Sequence, residues 1–359
     1  MIILGIESSC DDTSVALLDC SDQGCVVLSE KTASQIDVHK KYGGVVPEIA
    51  GRMHAEKIIP LIEEILKNQP KPDAIAVTAG PGLITGLIVG VEAARTLSMV
   101  WNIPLIATNH LQGHVYSVEL TPGQKIAYPA IALVVSGGHT EIVQIDKAGS
   151  YQVLGATKDD AAGECFDKVA KLLNIPYPGG PQISKLAMTG KTDAVNLPRP
   201  MIKENNFQFS FSGLKTAALY WLRDHKLAVI SPPLFGKIFS WLPGQFGISA
   251  DPITREDFCA SFEQSVIDVL AYKTLKAVEK IKPKTLVLAG GVSANKKLRE
   301  TLQKNISENF PETKFLCPEL KYCMDNGAMI AVAGYYQTKK NNYTKWEDIK
   351  ADPNWHLND

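Results

Sequence analysis

The sequence predicts an α/β protein of two domains, each built on a mixed sheet flanked by helices and each a version of the same unit. Three observations predict it. Residues 2–19 read as an apolar run, a polar turn and a second apolar run, and residues 130–146 repeat that form with Ser-Gly-Gly-His-Thr at the turn. Such repetition points to duplication. Strand-length apolar runs at 74–78 and 286–289 each end in glycine and feed a helix, which is the rhythm of parallel strands with crossover helices. The 359 residues are enough for two cores around a cleft. The first domain is expected over 1–129, with a last helix over about 326–345 returning to it. The second is expected over 130–325, with an insertion at about 227–252.

Composition narrows the class. Hydrophobic residues make up 45% and charged residues 21%, and no run is read as a membrane span. The start, Met-Ile-Ile-Leu-Gly-Ile-Glu, lacks a basic region and enters a strand, so no secretory leader is expected. A net charge of −1 gives no global pull on nucleic acid, so such a partner needs a local basic patch. Seven scattered cysteines suggest no disulfide framework and fit a reducing cytoplasm.

Residues 107–140 concentrate the chemistry. His110 and His114 stand four apart, so on a helix capped by Asn109 both imidazoles point to one side, and one divalent ion can take both. Residues 130–135 form a strand that Ser136, Gly137 and Gly138 turn sharply, leaving bare backbone amides able to approach an anion. A metal beside a phosphate cradle points to chemistry on a nucleotide.

The other elements follow in order. Ile58, Ile59, Leu61, Ile62, Ile65 and Leu66 form a helical stripe within 48–67, closed by Pro70 and Pro72. Gly80-Pro-Gly82 leads into an apolar helix over 83–101, a turn that serves anion binding or close packing. Residues 105–108 form the strand before the histidine helix. Residues 159–173 predict a helix with acids in its first turn, where Glu164, Asp167 and Lys168 serve a site or a charged surface. Tyr-Pro-Gly-Gly-Pro at 177–181 is a rigid turn, Phe207, Phe209 and Phe211 alternate as in a strand, and Gly213 opens a helix carrying Lys215. The proline-broken aromatic stretch at 227–252 predicts an insertion packing on its own domain, or a docking patch. Residues 255–279 are an amphipathic helix, 286–289 a buried strand, and Asp325 sits at the mouth of the final helix, where an ordinary Asp serves as N-cap. The tail beyond Gln337 is polar and expected to be loose.

Two strand-turn-strand units facing each other across a cleft resemble the phosphate-clamping plan of the actin, sugar kinase and Hsp70 superfamily. Ten motifs carry a closer resemblance. They are Gly-Ile-Glu-Ser-Ser-Cys-Asp-Asp-Thr, Gly-Gly-Val-Val-Pro-Glu, Thr-Ala-Gly-Pro-Gly-Leu, His-Leu-Gln-Gly-His, Val-Ser-Gly-Gly-His-Thr, Asp-Asp-Ala-Ala-Gly-Glu-x-Phe-Asp-Lys, Tyr-Pro-Gly-Gly-Pro, Phe-Ser-Phe-Ser-Gly-Leu-Lys-Thr, Ala-Gly-Gly-Val-Ser-Ala-Asn and Asp-Asn-Gly-Ala-Met-Ile-Ala. In this order they resemble the tRNA threonylcarbamoyladenosine transferase family of the bacterial TsaD type.

The resemblance implies a two-domain actin-like fold and transfer of a threonylcarbamoyl group from threonylcarbamoyl-AMP to N6 of adenosine 37, in tRNAs reading codons that begin with A. It implies one divalent metal ion, Fe2+ or Zn2+, held by His110, His114 and Asp325. Val134, Val135, Ser136, Gly137, Gly138, Asp167, Gly180 and Asn295 are implied to hold the nucleotide or acyl donor, with His139, Glu164, Ser184 and Lys215 as further candidates. Asp11 and Asp12 are the candidate catalytic acids, although the family usually has Glu where Asp12 stands, and Gly51 replaces a usual Ser. A paralogous actin-like subunit (TsaB type) and a P-loop ATPase (TsaE type) are implied partners, with no membrane. Lys40, Lys41, Arg52 and Lys215 are candidate phosphate contacts or solvated surface charges. A metalloprotease is disfavoured because Leu111 stands where His-Glu-x-x-His needs its Glu. A small-molecule kinase of the same superfamily would not need the histidine pair, and a silent nucleotide-binding scaffold would not need to keep His110, His114, Asp325 and Asn295.

Overall fold

The computed structural model describes residues 1–225, 227 and 253–358. Within them the chain forms two five-stranded sheets of identical topology. The first contains β1 (Ile2–Glu7), β2 (Asp12–Ser21), β3 (Gly24–Ser34), β4 (Ala74–Gly80) and β5 (Leu105–Asn109) in the order β3-β2-β1-β4-β5. The second contains β6 (Ala130–Val135), β7 (Thr140–Lys147), β8 (Ser150–Ala156), β9 (Thr285–Ala289) and β10 (Lys314–Leu316) in the order β10-β9-β6-β7-β8. In both sheets the opening hairpin is antiparallel, one later strand pairs in parallel with its first strand, and a second later strand pairs in parallel with that one. The duplication read in the sequence is therefore a duplication of topology, and the fold is actin-like.

Helices fill three layers around the sheets. Helices α2 (Pro47–Leu66) and α3 (Ile84–Trp101) cover the outer face of the first sheet. On the outer face of the second lie α5 (Ala162–Leu172), α6 (Gly179–Ala187), α7 (Ser212–Asp224), α8 (Arg255–Ile281) and α9 (Lys296–Asn309). Between the sheets sit α4 (His110–Tyr116) and α10 (Gly327–Thr338), whose Val115, Met329 and Val332 share one core with Ile3, Ala76, Ala132, Val134 and Val287. The short α1 (Ile36–His39) follows β3. Strands buried on both faces read as continuous apolar runs, and each fully buried Ile, Leu or Val contributes about 1.5–3 kcal/mol. A Cβ on Gly5 would lie 2.1 Å from Gly327 O, so glycine is what lets α10 lie directly on β1.

Several expectations are corrected. Asp159 and Asp160 precede α5, leaving Glu164 as the acid of its first turn. Phe207, Phe209 and Phe211 belong to no named strand; Phe209 makes a single bridge to Thr157. The N-cap of α10 is Asn326, whose Oδ1 accepts from Met329 N, so Asp325 is released from capping. Cys20 and Cys25 stand directly opposite on β2 and β3 and are joined by a disulfide, where none was expected. Helix α3 is long and apolar enough to cross a membrane by length and composition. Its Leu87, Val91 and Ala94 are instead buried in the core over the first sheet.

The tail is not loose. Thr344 N donates to Leu105 O at the start of β5, Asp352 N to Ala79 O near the end of β4 and Gly82 N to Pro353 O just beyond it, while Ile349 and Leu357 are buried, so the chain forms a strap running from the start of β5 to the end of β4. A polar sequence hid this because the strap is held mainly by backbone bonds. The aromatic insertion at about 227–252 lies outside the described residues apart from Leu227, which packs against the second core.

Candidate metal and nucleotide site

The C-terminal ends of parallel strands are where open α/β sheets bind ligands. Here three such ends, Glu7 of β1, Thr78 and Gly80 of β4 and Asn109 of β5, lie side by side because β4 is hydrogen-bonded between β1 and β5. Asn109 then caps α4, its Oδ1 accepting from Leu111 N at 2.9 Å, while its Nδ2 donates to Trp355 O of the strap. This capping starts the helix that carries His110 in its first turn and His114 one turn later, as the spacing predicted. Asp325 arrives from the loop before α10. Its Oδ1 is 3.1 Å from His114 Nε2 and 3.5 Å from His110 Nε2.

These residues fit a divalent ion. One ligand atom from each of His110, His114 and Asp325 lies within 4.8 Å of the others, two of the residues being buried. The buried His114 Nδ1 has no hydrogen-bond partner among the described residues, and His114 Nε2 faces the Asp325 carboxylate it would share an ion with. Two imidazoles and one carboxylate form a donor set suited to zinc or iron. Burial would lower the pKa of His110, but the carboxylates of Asp325 and Glu7 outweigh it and raise it to about 9. Asp325 is shifted the other way: burial opposes ionisation, and His110 and His114 hold its carboxyl below the usual range.

Beside this centre lie the two acids at the first hairpin. Burial, together with the negative charge of Asp325, raises the pKa of Asp11, and Tyr177 Oη donates to its Oδ2 at 3.3 Å. Asp12, almost fully buried, is raised to about 7 by desolvation and then by the charges of Asp325, Asp11 and Glu7, against a hydrogen bond from Ser34. His139, from the second hairpin, is lowered to about 4 by burial and by His110 and His114, so its imidazole stays neutral near the centre.

The residues expected to hold a nucleotide are placed as follows. Val134 and Val135 are fully buried, so they offer backbone rather than side chains. Ser136 Oγ accepts from Gly138 N and His139 N, and Ser136 N donates to His139 O at 2.8 Å, which pins the turn. Gly137 and Gly138 are exposed, with nothing within 4 Å of where a Cβ would be. The second switch point abuts this turn. Gly290 has φ +86°, and a Cβ there would lie 2.4 Å from Val135 O. Asp167 Oδ1 accepts from Gly179 N at 2.7 Å at the start of α6, and Gly180 is half-buried beside Phe166. Asn295 caps α9 through Leu298 N and donates to Ser184 Oγ at 3.0 Å and Glu263 Oε1 at 2.7 Å, so its side chain is fully engaged in this structure.

Two candidates are tied up elsewhere. Lys215 pairs with Asp160 at 3.0 Å, and Glu164 pairs with Lys168 at 2.8 Å. Lys40, Lys41 and Arg52 are exposed. Sequence reasoning missed Glu7, wholly buried against His110, and Asp159, whose carboxylate gathers Ser210 Oγ, Ser212 Oγ and Phe211 N. The one signal for Glu7 was an acid ending an otherwise apolar strand.

The fold resembles solved structures of low sequence identity. T. kodakarensis HypF superposes with a TM-score of 0.58 at 14% identity, covering 97% of this chain and 49% of that one. A full-length HypF in the phosphate- and nucleotide-bound form gives a TM-score of 0.57 at 12% identity, covering 96% and 47%. Sequence relatives are much closer. The tRNA N6-adenosine threonylcarbamoyltransferase of Bacillus licheniformis is 45% identical over 98% of this chain and 96% of its own length. Its namesake in Bacillus subtilis is 46% identical over 93% and 90%. The profile of the same family matches residues 26–332. With that span and those identities, this chain belongs to the tRNA N6-adenosine threonylcarbamoyltransferase family.

Proposed function

We propose that this chain moves a threonylcarbamoyl group from threonylcarbamoyl-AMP to N6 of adenosine 37 in tRNAs reading codons that begin with A. The observation that carries the reading is the convergence of His110, His114 and Asp325 beside the buried acids Asp11 and Asp12. N6 attacks the carbamoyl carbon, the bond to the phosphate oxygen breaks, AMP leaves with the electron pair, and N6 gives up one proton. AMP is a good leaving group, so most of the barrier is removed by placing a weakly nucleophilic amine against the anhydride.

A divalent ion, Fe2+ or Zn2+, held by the three ligands would supply Lewis acidity towards a substrate oxygen. The chain's own residues do the rest. The turn at Ser136–Gly138 and the loop at Gly290 shape the nucleotide's seat, and Asp167 holds Gly179 and the start of α6 beside it. A carboxylate whose pKa is raised towards neutrality is suited to take the N6 proton, which favours Asp12 with Asp11 as its neighbour. We read the two sheets as two domains, 1–129 and 130–325, with α10 returning to the first. A TsaB-type paralogue, a TsaE-type P-loop ATPase and a cytoplasmic location belong to the same proposal. Incubating the metal-loaded protein, with both partners, with unmodified tRNA and threonylcarbamoyl-AMP tests it. Modified adenosine at position 37, read by nucleoside mass, is expected; phosphorylation of a small molecule with no change to tRNA would overturn it.

A further inference from the structure

We infer that Glu7 is the positioning residue of the metal centre: it fixes the tautomer and ring orientation of His110 and supplies the second negative charge the buried ion requires. The inference rests on reading His110, His114 and Asp325 as ligands. An imidazole that binds a metal through Nε2 keeps its proton on Nδ1, and that proton needs an acceptor. Glu7 Oε2 lies 3.0 Å from His110 Nδ1, while His110 Nε2 faces Asp325. The carboxylate is itself immobilised, Oε1 accepting from Ser9 N at 2.5 Å and Oε2 from Thr78 Oγ1 at 2.6 Å. Glu7 and Thr78 are both fully buried, so water does not compete.

Topology builds this relay. Glu7 ends β1, Thr78 is near the end of β4, and His110 follows β5, so three neighbouring parallel strands deliver acceptor, clamp and ligand to one point. The charges also balance: a divalent ion with Asp325 alone keeps one net positive charge in a buried site, and Glu7 cancels it. His114 has no such support, since among the described residues its Nδ1 has no hydrogen-bond partner. Ser9 Oγ, 3.1 Å from His110 Nδ1, is the competing acceptor.

The test is binding of Zn2+ and Co2+ to the metal-free full chain by chelator competition, with the Co2+ visible spectrum as a second readout. Glu7→Gln, Thr78→Val and Ser9→Ala are compared with wild type, and circular dichroism checks the fold. Glu7→Gln is expected to weaken binding roughly 10–100-fold and to shift the Co2+ bands. Thr78→Val is expected to give a smaller loss in the same direction, and Ser9→Ala little change. Folded Glu7→Gln with wild-type affinity and spectrum overturns the inference, and so does a loss confined to Ser9→Ala. If Glu7→Gln does not fold, Thr78→Val decides: wild-type affinity and spectrum overturn the inference. A wild type that takes up no ion overturns the metal reading itself, which is a distinct result.

Discussion

Replacing Asp12 by Asn should make the metal-free protein more stable at neutral pH, and the gain should depend on pH in a specified direction. Asp12 titrates at about 7 in the folded chain against an ordinary 3.8, a rise of about 3 units caused first by burial and then by the nearby acids. At 1.36 kcal/mol per unit this is roughly 4 kcal/mol of opposition to folding once the group is ionised. The folded state keeps a proton between pH 4 and 7 that the unfolded state has released. Asp12 therefore costs nothing below pH 4, lowers stability progressively as pH rises to 7, and exerts its full cost above that. Asn is nearly isosteric and cannot ionise. Urea unfolding of wild type and Asp12→Asn, in chelator, should give equal midpoints near pH 4 and a higher midpoint for the variant at pH 8, by as much as that few kcal/mol. A bound cation should shrink the difference by offsetting the surrounding negative charge. Equal midpoints at pH 8, or a variant less stable there, refute the burial argument.

Three further outcomes are expected. Gly290→Ala forces a side chain into a backbone region nearly reserved for glycine and against Val135 O; it should cost at least about 1–3 kcal/mol, read as a lowered Tm and weakened AMP binding by calorimetry. Asn109→Ala removes the α4 cap and the tie to Trp355; a loss of about 1 kcal/mol is expected, with weaker Zn2+ binding because both histidines are carried by that short helix. Asp12→Asn should slow single-turnover transfer by about 100-fold or more without loss of metal, as for the group that takes the N6 proton; unchanged turnover rules that role out.

Much of this molecule was legible because the informative patterns are local. The i, i+4 histidines with Asn109 before them specify a capped helix, and the apolar run ending in Ser136-Gly-Gly specifies strand and turn. What escaped depends on contacts far apart in sequence. Asp325 meets the histidines only because α10 returns between the sheets, and the residues alone left it equally readable as a cap until Asn326 was seen to take that role. Phe207, Phe209 and Phe211 alternate like a strand, yet Phe209 and Phe211 are buried beneath α5 and α7 with a single bridge to Thr157. The strap at 344–357 has little apolar signal because backbone amides and carbonyls hold it. Cys20 and Cys25 pair because the register of β2 and β3 sets them opposite, which a count of cysteines does not reveal.

The central claim is that His110, His114 and Asp325 hold the ion on which threonylcarbamoyl transfer depends. It is tested most directly by measuring metal stoichiometry, Tm and single-turnover modification of tRNA together, for wild type and His110→Ala, with and without chelator. The account predicts one ion per wild-type chain, with chelator lowering Tm and abolishing transfer, and His110→Ala lacking both the ion and any response to chelator. Full transfer by metal-free wild type, or by His110→Ala with its fold intact, would contradict it.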